Sequence, residues 1–158
     1  MIDRKGDDMN MVKITGKVHI ELRDDNGNVK ETRDVSNLVV ALGCAYIADQ
    51  LSDKGETVMS HMAIGNDNTE PTCSDTTLAN ELARVALTST TQDTGANDNK
   101  VIYIATFDAG VGTGSIKEAG IFNASSNGTM LCRTTFDTIT KGASDALIIT
   151  WTITIGSC

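Results

Sequence analysis

From Val12 onwards apolar and polar residues alternate. Val12, Ile14, Val18, Ile20 and Leu22 share one parity, while Lys13, Thr15, Lys17, His19, Glu21 and Arg23 share the other. A period of two is the signature of a strand with one dry and one wet face. The run stops at Asp24-Asp25-Asn26-Gly27-Asn28, and Asn-Gly between two such runs predicts a tight hairpin. Residues 29–35 should return antiparallel, and their mostly charged faces suit an exposed edge strand. Ala41, Cys44, Ala45, Ile47, Ala48 and Leu51 then recur at helical spacing. That pattern predicts a helix over residues 39–52 with this stripe on the core, Asn37 as its cap and Lys54-Gly55 as its end.

Residues 58–65 read as a short strand, followed by a polar loop over 66–75. Leu78 and Leu82 fall one helical turn apart, so residues 76–82 are expected to form one or two helical turns capped by Asp75, with Glu81 and Arg84 turned outwards. Alternation resumes weakly over 84–92, and 93–99 is a polar turn. Residues 100–108 are apolar on both parities, as a central strand would be. A glycine loop covers 109–114. Residues 116–124 and 129–138 form a hairpin around Ser125-Ser126-Asn127-Gly128, and Leu147, Ile149, Trp151, Ile153 and Ile155 alternate with threonines in a closing strand. The expected fold is mainly β, an antiparallel β-sandwich or partly closed barrel with one or two short helices. Residues 1–11 have no period and read as an N-terminal arm, leaving 12–158 as a single β-rich domain.

Composition narrows the function. The net charge of −8 comes without a cluster of Lys and Arg, which argues against nucleic acid or an anionic membrane as partner. No apolar run approaches the ~20 residues that span a bilayer. Cys44, Cys73, Cys132 and Cys158 include no C-x-x-C pair, so neither a zinc knuckle nor a redox motif is expected.

Gly110-Val111-Gly112-Thr113-Gly114 is not followed by a helix, so it lacks the context of a dinucleotide loop. Asp24-x-Asn26-x-Asn28 begins like a calcium loop, but Val29 and Val35 occupy the positions of the required glycine and bidentate acid. Asn66-Asp67-Asn68-Thr69-Glu70 offers oxygen ligands on what reads better as a solvated loop. His19 falls on a wet strand face, and His61 would have to anchor any Ser–His–acid triad with no partner evident in sequence. Glu81 and Glu118 are candidate buried acids, expected to pair with Arg84 and Lys117 respectively. No catalytic residue, metal ligand or cofactor is therefore expected, and a hydrolase built on His61 is the weakest reading.

Several pieces of residues 58–156 nonetheless resemble small structural proteins of tailed phages. They are Met62-Ala63-Ile64-Gly65, then Asp75-Thr76-Thr77-Leu78-Ala79-Asn80-Glu81-Leu82-Ala83-Arg84, the glycine loop, Ile116-Lys117-Glu118-Ala119-Gly120-Ile121-Phe122-Asn123-Ala124, Gly128-Thr129-Met130-Leu131-Cys132-Arg133-Thr134, and the strand around Trp151. A similar order of motifs occurs in the N-terminal domain by which some tail-collar fibres attach to the baseplate, and the chain also looks like short virion proteins that decorate or cement the capsid. Fibres continue into a long shaft whereas this sequence stops at Cys158, so the expectation is a capsid decoration protein, with a tail or baseplate adaptor as alternative.

The resemblance implies a non-enzymatic virion protein, made in the host bacterial cytoplasm, whose partners are the major capsid protein or tail proteins and copies of itself, a trimer being favoured. Expected contact residues are Met1, Ile2, Met9 and Met11 on the arm, Asn66, Asp67, Asn68 and Val111 on the loops, and Phe122. The last is included because Ile121 and Phe122 point to opposite faces, so one of them should leave the core.

Overall fold

The computed structural model describes residues 12–156. In chain order the elements are β1 (Ile14–Arg23), β2 (Val29–Ser36), β3 (Leu38–Val39), α1 (Ala41–Ser52), β4 (His61–Gly65), β5 (Glu81–Ala86), β6 (Ser89–Gln92), a 3-10 turn (Gly95–Asn97), β7 (Lys100–Phe107), β8 (Gly114–Phe122), β9 (Met130–Lys141) and β10 (Ala146–Ile155). They form two five-stranded antiparallel sheets, ordered β2-β1-β10-β7-β6 and β3-β9-β8-β4-β5. The chain is therefore an open β-sandwich rather than a closed barrel.

The alternation of β1 and β10 carries the first sheet. Val18, Ile20, Leu22, Leu147, Ile149 and Trp151 point inwards and are buried, and they meet Met62, Ile64, Ala119, Ile121 and Ile139 from the second sheet. Gly27 closes the β1–β2 hairpin with φ of +83°, a conformation glycine adopts without penalty. β2 lies at the sheet edge, where its charged residues disfavour pairing with another chain. β7 is paired on both sides.

Helix α1 forms where the sequence predicts it, but on a different face. Gly43 and Tyr46 are buried and Ile47, alone of the expected stripe, packs half-buried against the core, while Ala41, Cys44, Ala45, Ala48 and Leu51 are exposed. The reason is a close approach to β9, since a Cβ on Gly43 would sit 2.0 Å from the Leu131 carbonyl oxygen. Only glycine allows this contact, so the glycine rather than the apolar stripe decides which face turns inwards. Asn37 does not cap the helix. Its amide packs on Gly16, and the carbonyl of Cys73 instead accepts from the Ala41 N–H at 2.9 Å. The helix ends at Asp53 in the left-handed region rather than at Gly55.

Residues 76–82 are not helical. Residues 66–80 form an irregular strap between β4 and β5, and β5 begins at Glu81. Leu78 is buried whereas Leu82 is 40% exposed, so the two do not share a face. The segment read as one weak strand over 84–92 is two strands, β5 and β6, in different sheets.

Candidate assembly surface

The strap lies on the outer face of the second sheet, and the residues that hold it down are those of the sequence motifs. On β8 the outward residues Glu118, Gly120 and Phe122 alternate with the inward Ala119 and Ile121. Glu118 is fully buried and Arg133, on the neighbouring strand β9, is 2% exposed. Their side chains meet at 2.9 Å. A buried carboxylate is costly unless its lone pairs are satisfied. Here the backbone N–H groups of Ala79 and Asn80 donate to Glu118 at 3.0 and 2.8 Å, and Arg133 Nε donates at 3.0 Å. Arg133 also donates to Asp75 Oδ2 at 2.8 Å and to the Thr69 carbonyl at 2.9 Å. Two side chains of the sheet thus fix the strap at Thr69, Asp75, Ala79 and Asn80.

Asp75 is shared between this network and a local turn. Its carboxylate accepts from the Thr72 N–H at 3.0 Å and from the Thr72 hydroxyl at 2.8 Å. Burial works to raise the Asp75 carboxyl, but the Thr72 donors and the Arg133 guanidinium outweigh it and hold the group below its ordinary value.

Glycines make the fit possible. A Cβ on Gly65 would lie 2.4 Å from both the Asn80 carbonyl and Glu118 Oε1, and one on Gly120 would press on Leu78 at 3.0 Å. Leu78 therefore reaches the sheet above Gly120 and joins Val40, Ala63, Phe122 and Met130 in a second apolar cluster. Arg84 completes the cover, its guanidinium 3.8 Å from the centroid of the Phe122 ring. It also donates to the carbonyls of Ala124 and Asn127 and to Glu81.

Three expectations are corrected by this geometry. Glu118 pairs with Arg133, not Lys117, because adjacent residues of a strand face opposite sides. Arg84 is turned over Phe122, its side chain only 8% exposed. Ile121 and Phe122 do point to opposite faces, yet both are fully buried, because the strap and Arg84 cover the outer face. Phe122 therefore presents no surface for the subunit contact expected of it. The expected Glu81–Arg84 pair forms, at 2.6 Å, but Glu81 is exposed rather than a buried acid.

The other expected contact residues divide by location. Met1, Ile2, Met9 and Met11 lie outside the described residues. Asn66 and Asp67 are half-buried and Asn68 is exposed at the start of the strap, where Asp67 accepts from the Thr69 N–H at 2.7 Å. Val111 is half-buried against the main core. Its neighbour Gly112 rests on Ile64 and Ala83, which brings the glycine loop to the same end of β4 as the strap's first residues.

The polar groups elsewhere make structural contacts. His61 Nδ1 lies 2.8 Å from the hydroxyl of its neighbour Ser60, and no carboxylate joins it among the described residues. His19 lies between Asp34 at 2.8 Å and Glu21 at 3.2 Å on the wet face of β1. Lys141 is buried, donating to the carbonyls of Asp108 and Asp145, and desolvation lowers its pKa. No group of three or more His, Cys, Asp or Glu is placed to hold a metal ion among the described residues.

The two-sheet scaffold thus carries a strap pinned to its outer face by Glu118 and Arg133. A family model described as phage tail-collar fibre protein, N-terminal, matches residues 32–153, and the chain belongs to this family. No curated protein and no solved structure gives a match. The matched stretch contains the strap, both of its anchors and Arg84. The family is one of phage structural proteins, which makes this chain a virion component.

Proposed function

We propose that the protein is an attachment module of the phage tail, a tail or baseplate adaptor of the fibre-collar type that binds neighbouring tail proteins without catalysing a reaction. The observation that carries this reading is the family match over residues 32–153, which favours the tail over the capsid-decoration alternative. The physical mechanism is burial of a rigid surface, with ~800 Å² per partner as the usual scale. Contacts fall on the strap and glycine loop, with Asn66, Asp67, Asn68 and Val111 at the end of β4 and the arm residues Met1, Ile2, Met9 and Met11 adding to them. Pinning the strap before docking lowers the ordering cost of association. Self-association, preferably as a trimer, is part of the same proposal.

The test is a phage lacking the gene, imaged beside wild type, together with the protein's copy number in purified virions. Tail-like stoichiometry and particles with intact heads but defective collars or fibres support the proposal. A copy on every capsomer, with heads that burst on heating and normal tails, would return the protein to the capsid.

A further inference from the structure

We propose that β2 is a self-association edge, on which a second copy of this chain lays its own β2 antiparallel, Thr32 against Thr32, across a two-fold axis. Among the described residues β2 is hydrogen-bonded as a strand on one side only, to β1. The Asn37 N–H donates to the Gly16 carbonyl at 3.3 Å. In an antiparallel ladder alternate residues turn their N–H and C=O to the same neighbour. Val35, Arg33 and Glu31 therefore face β1 with Asn37, and the backbone groups of Thr32 and Asp34 point away from it. Side chains bear this out, since the carbonyls of Thr32 and Ser36 accept from Arg33 Nη1 at 2.8 Å and from the Thr134 hydroxyl at 2.7 Å rather than from a strand.

Charges along an edge keep most strands away. Here their order also selects one partner. With Thr32 on the axis, Glu31 lies opposite Arg33 of the second copy, and Arg33 opposite its Glu31. Glu31 and Arg33 share a face of the strand, their ladder partners being Leu22 and Ile20, so the four side chains form one cluster of alternating sign. At either end Lys30 comes opposite Asp34, and the bulge at Lys30 ends the pairing there. Slipped registers are penalised. Only residues whose backbone groups point outwards can oppose one another, so the register moves two residues at a time. The next register one way sets Glu31 against Glu31, the other way Arg33 against Arg33, and like charges directly opposite destabilise a sheet.

In the single chain Arg33 reaches Glu31 of its own strand at 3.0 Å and caps the Thr32 carbonyl. Pairing replaces that cap with the Thr32 N–H of the second copy and sets each guanidinium between two carboxylates. A contact one strand wide buries less than the ~800 Å² per partner of a stable complex. It is therefore weak between free chains and gains from a high local concentration of copies. The contact goes beyond the tail reading and does not rest on it. It is two-fold rather than three-fold, and it uses the edge of the first sheet rather than the strap or the glycine loop.

The experiment is sedimentation velocity of the purified full chain over a concentration series. Wild type is expected to double its assembled mass reversibly as concentration rises. Glu31→Arg, which sets like charges opposite on both sides of the axis, should weaken the doubling by about tenfold or more. Combining Glu31→Arg with Arg33→Glu restores opposite signs and should restore the doubling, yet this double variant should form no mixed pairs with wild type. Thr32→Pro removes an outward N–H at an edge position, where proline is tolerated, and should abolish the doubling while circular dichroism stays that of wild type. The proposal is overturned if wild type shows no concentration-dependent doubling, or if Glu31→Arg doubles as readily as wild type. It is equally overturned if the double variant stays as weak as the single one or pairs freely with wild type.

Discussion

Arg133 and Glu118, on neighbouring strands and 2.9 Å apart, form an ion pair out of contact with water whose remaining hydrogen bonds all go to the strap. The pair is therefore a clamp between a sheet and a loop, and it accounts for why separate sequence motifs occur together. Asp75, Ala79 and Asn80 belong to one motif, Glu118 to a second and Arg133 to a third.

Removing one member leaves the other charge buried and unpaired. Glu118→Ala and Arg133→Ala should each cost about 3–5 kcal/mol in denaturant unfolding. The double variant should cost less than the sum, with a coupling of about 0.5–3 kcal/mol. It should still be less stable than wild type, because the Ala79 and Asn80 N–H groups lose their acceptor.

Leu78 and Leu82, one helical turn apart in sequence, should respond differently. Leu78→Ala empties a site above Gly120 and should cost about 2–5 kcal/mol. Leu82→Ala, at a position 40% exposed, should stay within about 1 kcal/mol of wild type. Equal effects in thermal or denaturant unfolding would restore the helical reading.

Adding a methyl group at Gly65 should also loosen the strap. The nearest atoms are a backbone carbonyl and the Glu118 carboxylate, neither of which can move aside cheaply. Gly65→Ala is expected to cost about 1–3 kcal/mol. It should also raise the susceptibility of residues 66–80 to a protease while β1 and β10 remain protected.

Acid and neutral pH should act on opposite sides of the molecule. The Asp75 carboxyl titrates below its ordinary 3.8, so its contribution is complete above that value and is lost as pH falls through the folded value. His19 titrates above its ordinary 6.5, held there by Asp34 first and Glu21 second against a small burial effect. Its contribution is complete below 6.5 and fades as pH rises through the folded value, and exposure of the ring keeps it small. In unfolding midpoints measured against pH, Asp75→Asn should flatten the acid limb and His19→Gln the limb above 6.5.

Much of the sandwich was legible because its strands obey simple periodicity. The alternation of β1 and β10, the Asn26-Gly27 turn and the doubly apolar β7 each follow from which faces are dry. The strap was not legible, since the Leu78–Leu82 spacing imitates a helix and its true partners lie far along the chain, Glu118 being 39 positions from Ala79 and Arg133 58 from Asp75. The orientation of α1 was hidden for a similar reason, as the decisive contact is between Gly43 and a backbone oxygen of β9. One signal was available and missed. Lys117 and Glu118 are consecutive in a strand, so they could not share a face, and a buried Glu118 called for a cation elsewhere.

The most direct test is amide hydrogen exchange at Ala79 and Asn80, two residues whose surfaces are exposed but whose N–H groups bond to the buried Glu118 carboxylate. Protection comparable to that of amides in β8 and β9 is expected, since those bonds should open only when the sheet does. Exchange as fast as at Ser125 and Ser126 in the exposed β8–β9 turn would show instead that the strap is not clamped to the sheet.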